Sequence, residues 1–171
     1  MHPDTRGLNF VDCRVPEGNL IGTRGEGFSQ FLDCLDGGRV AMAGLAVGTA
    51  QGAFEEALRY ARERVQFGWP IGKFQAIQFK LADMATEIEL ARNLTYKAAA
   101  MRDAGLPHSM EASMAKLFAS EMCNRTASQA VQIFGGYGFM DEYPVSRFFR
   151  DAKILEIGGR HLGDTEDGHI P

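Results

Sequence analysis

Two short segments of this sequence carry residue types that suit phosphate binding. The first is residues 62–68, Arg-Glu-Arg-Val-Gln-Phe-Gly, in which two arginines come shortly before a glycine. A planar guanidinium can donate two parallel hydrogen bonds to phosphate oxygens. Arginines near a helix end also interact favourably with the helix dipole, so these residues alone leave both interpretations open.

The second segment is residues 135–138, Gly-Gly-Tyr-Gly. Glycines let backbone N–H groups come close to a bound ligand. The spacing differs from the GxGxxG fingerprint of dinucleotide-binding turns, and a helix end followed by a tight turn accounts for the cluster equally well. By itself this motif does not decide between a turn and a binding site.

The histidines and cysteines do not indicate a metal site. His161 and His169 lie in a polar tail, where histidines are more often solvated than bound to metal. Cys13, Cys34 and Cys123 are odd in number and lack the spacing of metal ligands. We expect no metal, and we expect the cysteines to be small buried side chains in a reducing compartment.

Apolar residues recur at three- and four-residue intervals in four segments, which is the period of a helix with one buried face. These segments run from Phe28 to about Phe67, from Ile77 to Met101, from Met114 to Phe134 and from Val145 to Leu155. The short connections between them predict an all-α fold, an antiparallel four-helix bundle. Residues 5–22 precede the bundle and are typical of a short β-strand with a connector.

Residues at the predicted helix ends support this assignment. Gly105 is placed to end the second helix, Ser109 can cap the third, and Pro144 suits the first turn of the fourth. Gly37-Gly38 lies inside the first helix, where each glycine costs about 1 kcal/mol relative to alanine. We therefore expect a neighbouring group to approach the helix closely there.

The composition bounds the class of protein. With 171 residues and 45% hydrophobic content, the chain is long enough for one domain with a sizeable core. A net charge of -4 argues against nucleic-acid binding and against an anionic membrane surface. The most apolar window, residues 40–48, is far shorter than the ~20 residues that span a bilayer. We expect a cytoplasmic protein, or one of an organelle matrix if a targeting segment was lost.

In combination, the motifs resemble those of the acyl-CoA dehydrogenase family. Residues 132–139, Gln-Ile-Phe-Gly-Gly-Tyr-Gly-Phe, are followed by Asp-Glu-Tyr-Pro-Val at 141–145 and Arg-Asp-Ala-Lys-Ile at 150–154, and this succession is similar to the family's flavin-side signature. The order Arg-x-x-Phe-Gly-x-x-Ile-x-x-x-Gln-x-x-Gln over residues 64–78 resembles the loop that reaches the FAD of a neighbouring subunit. The resemblance covers the family's C-terminal helical domain and the last strand of its middle domain.

The resemblance implies an oxidoreductase that dehydrogenates an acyl-CoA thioester between its α and β carbons, with FAD as cofactor. Electron transfer flavoprotein is implied as electron acceptor, and a homo-oligomer as assembly. The positions that match flavin-binding residues are Arg64, Gln66, Phe67, Phe74, Gln75, Gln132, Ile133, Phe134, Gly135 and Gly136. Asp36 and Arg39 match positions near the acyl-CoA pocket, although an ion pair at i, i+3 on one helix explains them equally well.

No residue of this chain matches the family's catalytic base. In most of the family a glutamate removes the substrate's α-proton, and counting from residues 151–154 places Gly159 at that position. The alternative position used in the isovaleryl-CoA branch is Gly38. Glu156 and Glu166 are not convincing substitutes, so we expect this chain to be inactive alone.

The resemblance stops at Gly159, which divides the chain into three parts. Residues 1–22 resemble a remnant of the middle β-domain, 23–158 the four-helix domain, and 159–171 a divergent tail. One set of permitted codons for the tail, read one base later, encodes Glu-Gly-Thr-Ser-Glu-Ile-Gln-Arg-Met-Val-Ile-Ser, which resembles the family's own ending. We therefore expect a fragment with a frameshifted tail. The alternative is a non-catalytic helical oligomerisation module or the product of a decayed gene.

Overall fold

A computed structural model describes residues 7–158 of the chain. The predictions for Gly159, for the two tail histidines and for the frameshifted tail lie outside these residues. The described residues form four helices, which confirms the all-α bundle. They are α1 (Gly27–Glu63), α2 (Gln75–Asp103), α3 (Ser109–Phe134) and α4 (Pro144–Ile157).

Short elements connect the helices. An antiparallel hairpin of β1 (Val65–Gln66) and β2 (Trp69–Pro70) follows α1, with Val65 opposite Pro70 and Gln66 opposite Trp69. The remaining short elements are 3-10 helices at Glu17–Asn19, Ile71–Lys73 and Gly135–Phe139. Because the connections are short, helices that follow each other in the chain run antiparallel.

Helices α1 and α3 run parallel and form the centre of the bundle. Near their starts, Arg39 donates a hydrogen bond to Ser113 Oγ at 3.1 Å. Near their ends, the rings of Tyr60 and Phe134 stack with centroids 4.0 Å apart. Helices α2 and α4 each pack against both α1 and α3. The ends of the two central helices therefore lie on the same side of the molecule.

The core is rich in alanine. Fully or almost fully buried alanines follow each other along α1 and α3: Ala43, Ala46, Ala50, Ala53, Ala57, Ala61, Ala112, Ala115, Ala119, Ala127 and Ala130. Such small side chains let helix axes approach closely, while Ile88, Met122 and Val145 supply bulk. Every buried side-chain polar atom of the described residues has a hydrogen-bond partner.

The helix ends follow the sequence signals with one exception. Pro144 is the first residue of α4, and Gly105, at φ +67°, follows the end of α2, as predicted. Ser109 is not the cap of α3: His108 holds that position, and the Ser109 hydroxyl donates to the Asp36 carboxylate instead. The prediction was wrong by one position, because Ser109 is already the first residue of the helix and no side chain caps α3.

The N-terminal segment differs from its expectation as well. Residues 7–22 contain no β-strand and form coil with the single 3-10 turn Glu17–Asn19. A strand needs a neighbour with which to exchange backbone hydrogen bonds, and the described residues offer none here. The strand predicted within residues 5–22 is therefore not found in the part of that segment that the structure describes.

Two further expectations are corrected in part. Cys13 and Cys34 are exposed, and only Cys123 is buried, where desolvation raises the pKa of its thiol to about 12. Close approach is found at Gly37, where an added Cβ would lie 3.1 Å from the Arg102 guanidinium. Gly38 has no described atom within 4 Å of such a Cβ, so only the first glycine of the pair has the expected neighbour.

Candidate functional site

A cavity of about 550 Å³ lies where the ends of α1 and α3 meet. It is lined by Tyr60, Arg64, Gln66, Ile71, Ile133, Phe134, Gly135, Gly136, Tyr137 and Met140. One side of the cavity is formed by Arg64 and Gln66 and the other by residues 133–136. These two groups are separated by about seventy positions in sequence, yet they line one cavity. The structure thus brings together the two segments that sequence analysis selected for phosphate binding.

The end of α1 places Arg64 at the rim. Arg64 leaves the helix in an extended conformation at φ -72° and ψ 120°, while its N–H still bonds to the Tyr60 carbonyl at 2.8 Å. The Arg64 carbonyl in turn accepts from the Ile71 N–H at 2.8 Å. Phe67 and Gly68, both with positive φ, form the hairpin turn between β1 and β2.

The end of α3 supplies the opposite wall. Gly135 has φ +62° and ψ -137°, a conformation that only glycine adopts readily, and its N–H bonds to the carbonyls at the end of α3. Gly138 is buried, and a Cβ there would lie 2.5 Å from the Val131 carbonyl oxygen. The helix end and tight turn considered for this motif are therefore present. The same turn exposes the backbone of Gly135 and Gly136 at the cavity.

The charge of Arg64 has an aromatic partner rather than an acidic one. Its Cζ lies 5.2 Å from the centroid of the Tyr137 ring. No carboxylate among residues 7–158 forms an ion pair with Arg64. Burial raises the pKa of Tyr60, an effect that the nearby Arg64 charge opposes, so Tyr60 is neutral at physiological pH. The guanidinium is therefore the one positive group of this cavity, and its N–H donors have no anionic acceptor in the described chain.

The other predicted flavin residues, Phe67, Phe74, Gln75 and Gln132, do not line the cavity. Phe67 is 90% exposed at the hairpin tip, with its ring edge-on to Phe74 at a centroid distance of 6.3 Å. Phe74 caps α2, and Gln75 is its first residue. Gln132 is exposed in the last turn of α3. Their roles stay predictions.

Sequence analysis did not select four lining residues, Tyr60, Ile71, Tyr137 and Met140. Ile71 belongs to the motif over residues 64–78 but was not assigned to the site. Tyr60 and Met140 carry no local signal, because only the packing of α1 beside α3 brings them to the cavity. Tyr137 was visible inside the glycine cluster, between Gly136 and Gly138. The signal for this residue was its place between two glycines, where the backbone can come close to a ligand.

Asp36 and Arg39 lie elsewhere. They form an ion pair at 2.8 Å within α1, and each also contacts a serine of α3. Arg39 precedes Arg64 by 25 positions, which at 1.5 Å per residue corresponds to about 38 Å along a helix. The ion-pair alternative is what the structure shows, and a role in substrate binding stays a prediction.

The structure adds two observations on metals and membranes. Within residues 7–158, no group of three or more His, Cys, Asp or Glu side chains is arranged to hold a metal ion. None of the described helices combines the length and apolar composition that crossing a bilayer requires.

Comparison with known proteins accounts for this arrangement. Residues 25–166 match the family described as acyl-CoA dehydrogenase, C-terminal domain. The chain belongs to the acyl-CoA dehydrogenase family. A probable acyl-CoA dehydrogenase of Bacillus subtilis, YngJ, is 59% identical to this chain over 155 residues. The alignment covers 91% of this chain and 41% of that protein.

Two other relatives support the family assignment. The solved structure of butyryl-CoA dehydrogenase from Megasphaera elsdenii superposes with a TM-score of 0.86 at 50% identity, covering 88% of this chain and 39% of that one. The caffeyl-CoA reductase-Etf complex subunit CarC of Acetobacterium woodii is 49% identical over 153 residues, covering 90% of this chain and 40% of that subunit. The chain thus spans about 40% of the length of these relatives.

The turn that forms the cavity wall gives a stability prediction. In Gly138→Ala the new Cβ would collide with the backbone oxygen of Val131, which α3 holds in place, so we expect a loss of about 1–3 kcal/mol of unfolding free energy. Gly136→Ala is the matched control, because nothing lies within 4 Å of its added Cβ and its φ is not positive. Urea unfolding of both variants measures the difference. Equal stability of the two variants would contradict the geometry.

Proposed function

We propose that this chain forms part of an FAD-dependent acyl-CoA dehydrogenase, in which the cavity binds the diphosphate and adenine side of an FAD held by a neighbouring copy. The observation that carries the proposal is that Arg64, which has no acidic partner among the described residues, lines the same cavity as the exposed Gly135 and Gly136. A planar guanidinium next to an exposed glycine backbone is suited to binding phosphate oxygens.

The lining residues fit this ligand. Arg64 would donate to the diphosphate, and the missing side chain of Gly136 would let the backbone approach it. Among the apolar lining residues, the half-buried Tyr60 and the exposed Met140 would contact an adenine ring. Bound FAD would supply a hydride acceptor for α,β-dehydrogenation of the thioester. This chain's own contribution would be to hold and orient the nucleotide half.

Binding of ADP, which contains the adenine and diphosphate groups, tests the proposal directly. We expect weak binding by the wild-type chain and a loss of roughly tenfold in Arg64→Gln, because charge-assisted hydrogen bonds to phosphate disappear. Arg62→Gln is the matched control, since Arg62 is an exposed arginine in the same turn that does not line the cavity. Isothermal titration gives the three affinities. Absence of wild-type binding, or equal losses in both variants, would contradict the proposal.

The chain alone is proposed to be inactive. The two family positions for the proton-abstracting glutamate are Gly38 and Gly159, and neither glycine can accept a proton. We expect no acyl-CoA-dependent dye reduction by the purified chain, with or without added FAD, and no rescue by Gly159→Glu alone. Dye reduction above the level of a heat-denatured control would show that another group serves as base.

The partners of the whole protein are proposals from the family. An acyl-CoA thioester is the proposed substrate. Electron transfer flavoprotein is the proposed acceptor. This is supported by the similar CarC subunit, 49% identical, which is named as part of a caffeyl-CoA reductase-Etf complex.

We also propose that the chain self-associates. Met110, Met114 and Leu117 follow each other on one face of α3, and they are 66%, 44% and 47% exposed. Exposed apolar surface of this kind favours burial against a second copy. Multi-angle light scattering should therefore give a mass above that of one chain. A monodisperse monomer at high micromolar concentration would overturn this expectation.

The alternative function is a non-catalytic helical oligomerisation module. It is favoured by the same exposed face of α3 and by the glycines at both positions for the base. This alternative requires self-association without nucleotide binding. The ADP titration therefore separates the two functions, because only the flavin proposal gives Arg64 a ligand.

A further inference from the structure

We propose that Tyr137 is a positioning residue, whose ring holds the Arg64 guanidinium in the orientation that presents its N–H donors to phosphate. The inference rests on the proposed function, because it assigns a role within the same cavity. Tyr137 lies within the Gly-Gly-Tyr-Gly motif, but it is not among the positions that the sequence assigned to flavin binding.

The position of the Tyr137 ring is fixed by a chain of aromatic contacts. Tyr137 lies 5.5 Å from the ring of Tyr143, which lies 5.5 Å from Phe134. Phe134 is only 4% exposed and stacks at 4.0 Å on Tyr60 of α1. The ring is therefore anchored to the core through the same α1–α3 contact that forms the cavity.

The type of contact leaves the guanidinium free to bind an anion. An arginine in a salt bridge uses its N–H donors on the carboxylate. An arginine that stacks on an aromatic face is attracted through its π-surface, and its in-plane donors stay available. The Arg64 Cζ lies over the Tyr137 ring at 5.2 Å from its centroid, which is within cation–π range, and no carboxylate of the described residues pairs with this guanidinium.

A held side chain binds more tightly than a free one. Arginine has many rotamers, and ordering it on binding opposes affinity. The Tyr137 ring restricts these rotamers before the ligand arrives. The role requires the aromatic face and not the hydroxyl group, so phenylalanine should replace tyrosine without loss.

Two measurements on the full chain test this assignment. In the absence of ligand, the Arg64 Nε–Hε proton resonance should lie upfield in the wild type and in Tyr137→Phe, and it should move to the free-arginine position in Tyr137→Leu. In isothermal titration with ADP, Tyr137→Leu should weaken binding roughly two- to fivefold, the range for a partly exposed cation–π contact. Tyr137→Phe should bind as the wild type does.

The controls separate this inference from the proposed function. The thermal unfolding midpoint of each variant shows that the fold is kept, and combining Tyr137→Leu with Arg64→Gln should give no further loss beyond Arg64→Gln alone. Wild-type ADP affinity in Tyr137→Leu, or additive losses in the double variant, would overturn the positioning role while leaving the nucleotide site intact. No ADP binding by the wild type would overturn both.

Discussion

The parallel packing of α1 against α3 is the interaction on which the rest of the structure depends. Its alanines let the helices approach closely over most of their length, and the Tyr60–Phe134 stack at 4.0 Å is the last contact before both helices end. Because the helices are parallel, their ends lie side by side. Residues that follow α1 and residues that follow α3 must therefore share one surface, and the cavity is formed there.

This dependence explains what the sequence could and could not predict. Helical periodicity identified the four helices and the bundle, since burial of one face determines the spacing of apolar residues. The motifs led to Arg64 and to residues 133–136, because arginine and glycine have special chemistry at any position. Tyr60 and Met140 have no such signal. They join the site only through the α1–α3 packing, which periodicity indicates but does not align.

Two predictions from the local sequence were wrong. Ser109 has the local sequence of a cap, but it is the first residue of α3, and its hydroxyl donates a hydrogen bond to the Asp36 carboxylate on α1. Residues 7–22 have a composition typical of a strand, but backbone pairing needs a second strand that residues 7–158 do not provide there. For the strand, the lack of a pairing partner among the described residues decided the outcome.

The three glycines after α3 show how folding and function can be separated at one turn. Gly135 is required by its backbone conformation, and Gly138 by the Val131 carbonyl against which it packs. Neither reason applies to Gly136, which has an ordinary φ and open space around the position of a Cβ. Folding of the described residues therefore does not require glycine at 136. Gly136 lines the same cavity as Arg64, where the proposed nucleotide would have close access to its backbone.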